Sequence, residues 1–198
     1  LADEIRDKVR MAAAARVRVT NADPPVPLAA KPANSRNAAD SGIIAIGASA
    51  GGTQAIMEIL RHLPAHVPGI AIVQHMPPKF TAMFADHLNR CCALDVHEAT
   101  DGEKLLPGMA RVAPGGRQMA FVRENGGYVL RVYDGPAVNL HRPSVDVLFN
   151  SVAHMTATRT LGVLLTGMGS DGAQGLKAMH AAGAFTLAQD EASSVIFG

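Results

Sequence analysis

Cysteine is nearly absent from this chain of 198 residues: its two thiols, Cys91 and Cys92, stand side by side. Adjacent cysteines make no disulfide framework and lack the spacing of a zinc site, which points to a reducing cytoplasm and chemically idle thiols. An excess of charge is missing too, with 18 Lys plus Arg against 17 Asp plus Glu and a net charge of +1. That balance selects neither a nucleic acid nor an acidic membrane surface as partner. No apolar run approaches the roughly 18 to 20 residues needed to cross a bilayer, so no membrane insertion is expected. The opening stretch LADEIRDKVRMAAAARV mixes acids with bases around no central apolar run, unlike a signal peptide. Nothing repeats at a fixed period, which sets solenoids aside.

What is present divides unevenly. Residues 1–18 carry Leu1, Ile5, Val9 and Ala13 at steps of four, the spacing of one helix face. Residues 21–42 are dense in Pro, Ala, Asn and Asp and read as a linker. From residue 43 the pattern changes. Ile43–Gly47, Ile70–Gln74, Leu161–Thr166 and Ala184–Gln189 are short, nearly continuous apolar runs, as expected for parallel strands covered on both faces. Helical segments at about 51–62, 80–90, 144–157 and 172–182 alternate with them, which predicts a doubly wound, mostly parallel, Rossmann-like α/β sheet. The stretch from 94 to 134 differs. Met109–Ala113, Gln118–Arg123 and Tyr128–Tyr133 read as short strands and Asn125-Gly126-Gly127 as a hairpin turn, an antiparallel excursion on the parallel sheet.

Open α/β sheets place their sites at the carboxyl ends of strands. Three runs here end in reactive side chains: Ser49 after the first, His75 after the second, and Asp171 in Thr166-Gly167-Met168-Gly169-Ser170-Asp171. A serine hydroxyl attacks poorly until a base takes its proton; an imidazole can take it and return it to a leaving group, and a carboxylate on the far ring nitrogen fixes the tautomer. The tetrahedral oxyanion then needs fixed donors, for which the Ala50 N–H and a second N–H in the Met168 loop are the candidates.

Plainer roles exist for each residue. Ser49 could cap a helix or touch a ligand, His75 could be a hydrogen-bonded strand-end histidine, and Asp171 could cap the helix that follows it. Phosphate cradling fits less well, because the second glycine of the dinucleotide fingerprint is replaced by Ser49 and no G-K-[ST] ending follows. Gly47-Ala48-Ser49-Ala50-Gly51 does match the G-x-S-x-G nucleophile elbow, but the order serine, histidine, aspartate is not that of the α/β-hydrolases. His62, His66, His87, His97, His154 and His180 are scattered without ligand spacing, so no metal is expected. Ser144 is a candidate helix cap, and Arg142 a candidate contact to an acidic surface.

The stretches IGASAGG, VQHMPPKFT, DGEKLLPG, HRPSVDVLF and LLTGMGSDGAQGL together closely resemble the catalytic domain of the chemotaxis protein-glutamate methylesterases, the CheB family, over residues 43–198. By position, the family's catalytic serine, histidine and aspartate fall on Ser49, His75 and Asp171. The resemblance implies hydrolysis of γ-glutamyl methyl esters on the cytoplasmic helices of methyl-accepting chemoreceptors, with deamidation of receptor glutamines in some members. It implies no metal or organic cofactor. It further implies that residues 1–42 are the end of a receiver domain, phosphorylated by a histidine kinase, plus the linker from it, and that the family pattern continues past Gly198. Many members carry threonine where Ala50 stands and asparagine where Ser170 stands. The rivals are a generic small-molecule serine esterase and a nonenzymatic receptor- or nucleotide-binding module on the same sheet.

Overall fold

The computed structural model describes residues 42–124, 127–155 and 159–198, together with Arg6, Arg10 and Ala13. The expected terminal helix over 1–18 is represented by those three residues, helical and exposed, and the rest of it, with the linker up to residue 41, lies outside the described residues.

Apolar residues at both parities of a strand require cover on both sides of the sheet. Ile43 and Ala45 of β1 (Ile43–Ala48) join Ala71 and Val73 of β2 (Gly69–Gln74) in one core cluster, while Ile46 and Ala48 join Ile70 and Ile72 in another. The second cluster is closed by α1 (Gly52–His62) through Ile56 and Leu60, and by α2 (Phe80–Cys91) through Phe84, Ala85 and Leu88. The spacing i, i+1, i+4 of those α2 residues is a helix presenting one stripe inward. On the opposite face lie α3 (Val145–Ala153), with Val145, Leu148, Phe149 and Val152 buried, and α4 (Ala173–Ala181), with Met179 buried.

Six strands form the sheet, in the order β3-β4-β2-β1-β7-β8 and parallel throughout. Here β3 is Asp95–Glu98, β4 Met109–Val112, β7 Thr160–Leu164 and β8 Phe185–Ala188. From β1 the chain first winds outward through α1 to β2, then returns to place β7 on the other side of β1. The winding direction therefore reverses between β1 and β7, where such sheets open a crevice beyond the strand ends.

The antiparallel excursion is a separate two-stranded sheet of β5 (Gln118–Glu124) and β6 (Gly127–Tyr133), which buries Met119, Phe121, Leu130 and Val132 in the cluster shared with α3. Asn125 and Gly126 of the expected turn lie outside the described residues. The Met109–Ala113 run belongs instead to the parallel sheet, and β3, with no counterpart among the expected strands, flanks it. β3 is Asp-Val-His-Glu, an edge strand with one buried apolar side chain, so it carries no apolar run to read. Its neighbour supplies an ionic tie in place of packing: the buried Arg111 donates to Asp95 at 3.1 Å and to Glu103 at 3.0 Å. At the other edge, Phe185 and Leu187 of β8 are exposed.

Candidate active site

Ser49 is the first residue beyond β1, and one local and two tertiary hydrogen bonds hold its backbone. Its N–H donates to Thr166 O at 3.0 Å, beyond the end of β7. Its carbonyl accepts from Gly52 N at 2.8 Å and from Gln74 Nε2 at 2.9 Å. The glycines around it answer to close packing rather than to a phosphate. Gly51 turns the chain into α1 at φ 81°, and a Cβ on Gly167 would stand 2.8 Å from Ser49 Cβ. The N–H groups of Ala50 and Met168, the two proposed oxyanion donors, bond to no group among the described residues. Ser49, His75, Met168 and Asp171 line one pocket, together with Ile196 and Phe197.

His75 follows β2 directly, and its N–H donates to Ala48 O at 3.1 Å, so the nucleophile candidate and the base candidate leave adjacent parallel strands. Its Nε2 lies 2.8 Å from Asp171 Oδ2. Its ring stacks on His141, with centroids 3.6 Å apart and planes within 12°. Nδ1 is buried and without a hydrogen-bond partner among the described residues. With Nε2–H donated to the carboxylate, Nδ1 carries the lone pair and is the nitrogen able to accept a proton.

Asp171 is not the cap of its own helix. α4 begins with Gly172 as its cap and no capping side chain, whereas Asp171 reaches across to the first turn of α3, accepting from Val145 N at 2.7 Å and Asp146 N at 3.3 Å. Ser144 Oγ and Asn139 Nδ2 add bonds of 2.7 and 2.8 Å. Burial raises the affinity of this carboxyl for its proton, but the donors, His75 first and then Asn139, Ser144 and Val145, outweigh it and hold it well below the usual carboxylate range. A depressed folded-state pKa stabilises the fold above the unfolded value of about 3.9, and that contribution is lost as pH falls toward the folded pKa. Asp171→Asn is therefore expected to show its largest stability deficit above about pH 5 and a shrinking one below about pH 4. Urea midpoints of both proteins at neutral and acid pH measure this; a deficit that stayed constant would mean the carboxylate charge contributes nothing.

Sequence reasoning missed Gln74, Asn139, Asp146 and His141, and of Ser144 it saw only the helix cap. Gln74 is buried, and its amide nitrogen donates both to Ser49 O and, at 3.3 Å, to His75 O. Asn139 links Asp171 to Asp146 Oδ2, the latter at 2.6 Å, and Asp146 in turn accepts from Gly175 N at 2.6 Å. His141 covers His75. Ser144 caps α3 as expected, accepting from Val147 N, but its hydroxyl proton goes to Asp171. Only the Ser144 cap had a local signal. Arg142 is exposed and donates to Gly135 O at 2.9 Å. None of the six scattered histidines lines the pocket.

The CheB methylesterase family model matches residues 44–198. The chain belongs to that family. A Dechloromonas aromatica protein-glutamate methylesterase/protein-glutamine glutaminase is 57% identical over 156 residues, 79% of this chain and 44% of the relative. A Yersinia pestis protein of the same description, without the numeral, is 53% identical over 196 residues, 98% of this chain and 55% of the relative. The chain thus spans about half the length of the curated relatives it matches. The crystal structure of the Thermotoga maritima CheB methylesterase catalytic domain superposes with a TM-score of 0.77 at 36% identity, covering 80% of this chain and 85% of that one. The parallel six-stranded sheet with its separate antiparallel pair is therefore the CheB catalytic-domain fold. Among the described residues no helix is long and apolar enough to cross a membrane.

Proposed function

We propose that this CheB-family chain is a serine hydrolase that removes methyl groups from glutamyl γ-methyl esters of chemoreceptors, with Ser49 as nucleophile, His75 as base and Asp171 as orienting acid. The observation that carries this reading is the His75–Asp171 hydrogen bond in the wall of the pocket that Ser49 also lines, beyond adjoining strands at the reversal of the sheet.

The geometry supports the following chemistry. Ser49 turns its hydroxyl toward Nδ1 of His75 and attacks the ester carbonyl as its proton passes to that nitrogen; such bonds commonly close only when substrate is bound. The carbonyl oxygen takes up negative charge and is met by the N–H groups of Ala50 and Met168. Collapse breaks the bond to methoxide, which receives the proton from Nδ1 and leaves as methanol. Water then repeats the sequence against the acyl-serine and releases a glutamate carboxylate and free Ser49. Asp171, kept ionised by its donors, stabilises the imidazolium in both halves. A glutamine side chain entering the same site would lose ammonia instead, which fits the second activity in the relatives' names.

A cytoplasmic receptor helix would be the partner. In the longer protein, the receiver domain that residues 1–42 would terminate, phosphorylated by a histidine kinase, would control access. The test is methanol release from a methylated chemoreceptor fragment compared with release from a single-residue glutamyl γ-methyl ester. Preference for the fragment is expected; indifference between the two would make this a general esterase, and release from neither would end the enzymatic reading.

A further inference from the structure

Val138 and His141 pair as an antiparallel bridge, with hydrogen bonds of 3.0 and 2.9 Å, across a two-residue turn of Asn139 and Leu140. Both turn residues have positive φ, 50° and 68°, the pattern that favours Asn-Gly. Asparagine adopts this conformation readily and uses it here to reach Asp171. Leucine does not, and the second position is the one where a glycine would sit without strain. The side chain gains little from its own protein, because Leu140 is 78% exposed. Its neighbours fix it beside the reacting groups: Asn139 is bonded to Asp171, and His141 is stacked on His75. A strained backbone that presents a bare apolar side chain next to a catalytic pair has its explanation outside the free protein.

We propose that Leu140 is a substrate-contact residue, which packs on an apolar side chain neighbouring the esterified glutamate of a protein substrate and so favours proteins over small esters. This rests on the esterase reading above. Leu140 takes no part in bond making; it supplies binding area that a small ester cannot reach. Asn139 and His141 carry the contacts to Asp171 and His75, so changing the residue between them alters the surface while leaving those contacts in place.

The experiment uses Leu140→Asn and Leu140→Met, with Ser49→Ala as control, each assayed for methanol release from a methylated chemoreceptor fragment and from a single-residue glutamyl γ-methyl ester. For Leu140→Asn, kcat/KM on the fragment should fall about tenfold, as loss of one buried leucine contact predicts, and mainly through KM. The small ester should be hydrolysed at the parent rate, and the thermal midpoint should not fall. Leu140→Met should keep the rate on the fragment. An unchanged fragment rate in Leu140→Asn, an equal fall on both substrates, or a fall in Leu140→Met as large as in Leu140→Asn would each overturn the proposal. Release by Ser49→Ala at the parent rate would instead overturn the esterase reading on which it stands.

Discussion

Ser49→Ala is expected to lower methanol release from a methylated receptor by a factor of about 10⁴ or more while leaving the fold unharmed. No hydrogen bond holds the Ser49 hydroxyl among the described residues, and its backbone, fixed by Thr166, Gly52 and Gln74, survives the substitution. The unfolding midpoint should therefore stay at the parent value. Asp171→Asn is expected to cost about 10³ to 10⁴ in kcat. It cannot be structurally silent. The carboxylate accepts on both oxygens, from His75 and Val145 on one and from Asn139, Ser144 and Asp146 on the other, and an amide would turn an NH₂ group toward one of those sets. The decisive comparison is the double variant. If the three side chains act as one unit, Ser49→Ala/Asp171→Asn should be no slower than Ser49→Ala alone, because without a nucleophile the imidazole has no proton to move. Multiplying losses would mean that Asp171 acts independently of Ser49, and a Ser49→Ala protein with parental activity would remove the mechanism altogether.

The parts of this arrangement that were legible in the sequence share a physical cause. β1 and β2 read clearly because strands buried on both faces must be apolar at every position, β7 because Leu161, Val163 and Leu164 keep its run apolar although only half-buried, and Ser49, His75 and Asp171 stood out because polar residues interrupt that apolarity where strands end. β3 was illegible for the opposite reason: an edge strand with one inward side chain is under no such demand. The supports of the site were illegible because they are set by tertiary contact. Asn139 and Val145 meet Asp171 across separations of 32 and 26 residues, and the partner of Gln74 is a backbone carbonyl 25 residues away. The role of Asp171 at a helix start was half visible; that the helix is α3, packed alongside, rather than the one that follows in sequence, required the packing of α3 on the sheet.

That packing is narrow at Gly47, and Gly47→Ala is expected to expose it. Gly47 faces α3 from β1, and a Cβ there would stand 2.1 Å from Val145 Cγ1 and 2.9 Å from Cγ2. Val145 cannot step aside. It is β-branched and buried, and its other flank meets Gly172, where an added Cβ would be 2.6 Å from the same Cγ1. The first turn of α3 must therefore lift, carrying with it Ser144 and the Val145 N–H that bonds Asp171. Overpacking of this kind costs about 1–3 kcal/mol, a fall of roughly 2–4 °C in midpoint for each kcal/mol in a chain of this size. Because it displaces Asp171, the proposed orienting acid, kcat should also fall, by about 10- to 100-fold, as misplacement of about 1 Å does elsewhere. Val145→Ala removes both γ carbons and leaves a cavity of its own, yet the double variant Gly47→Ala/Val145→Ala should be more stable than the sum of the single losses by about 0.5–3 kcal/mol. Denaturant midpoints and methanol release from the parent and the three variants close this cycle. Strict additivity, or a Gly47→Ala protein with parental stability, would mean that α3 is seated on the sheet by something other than this glycine.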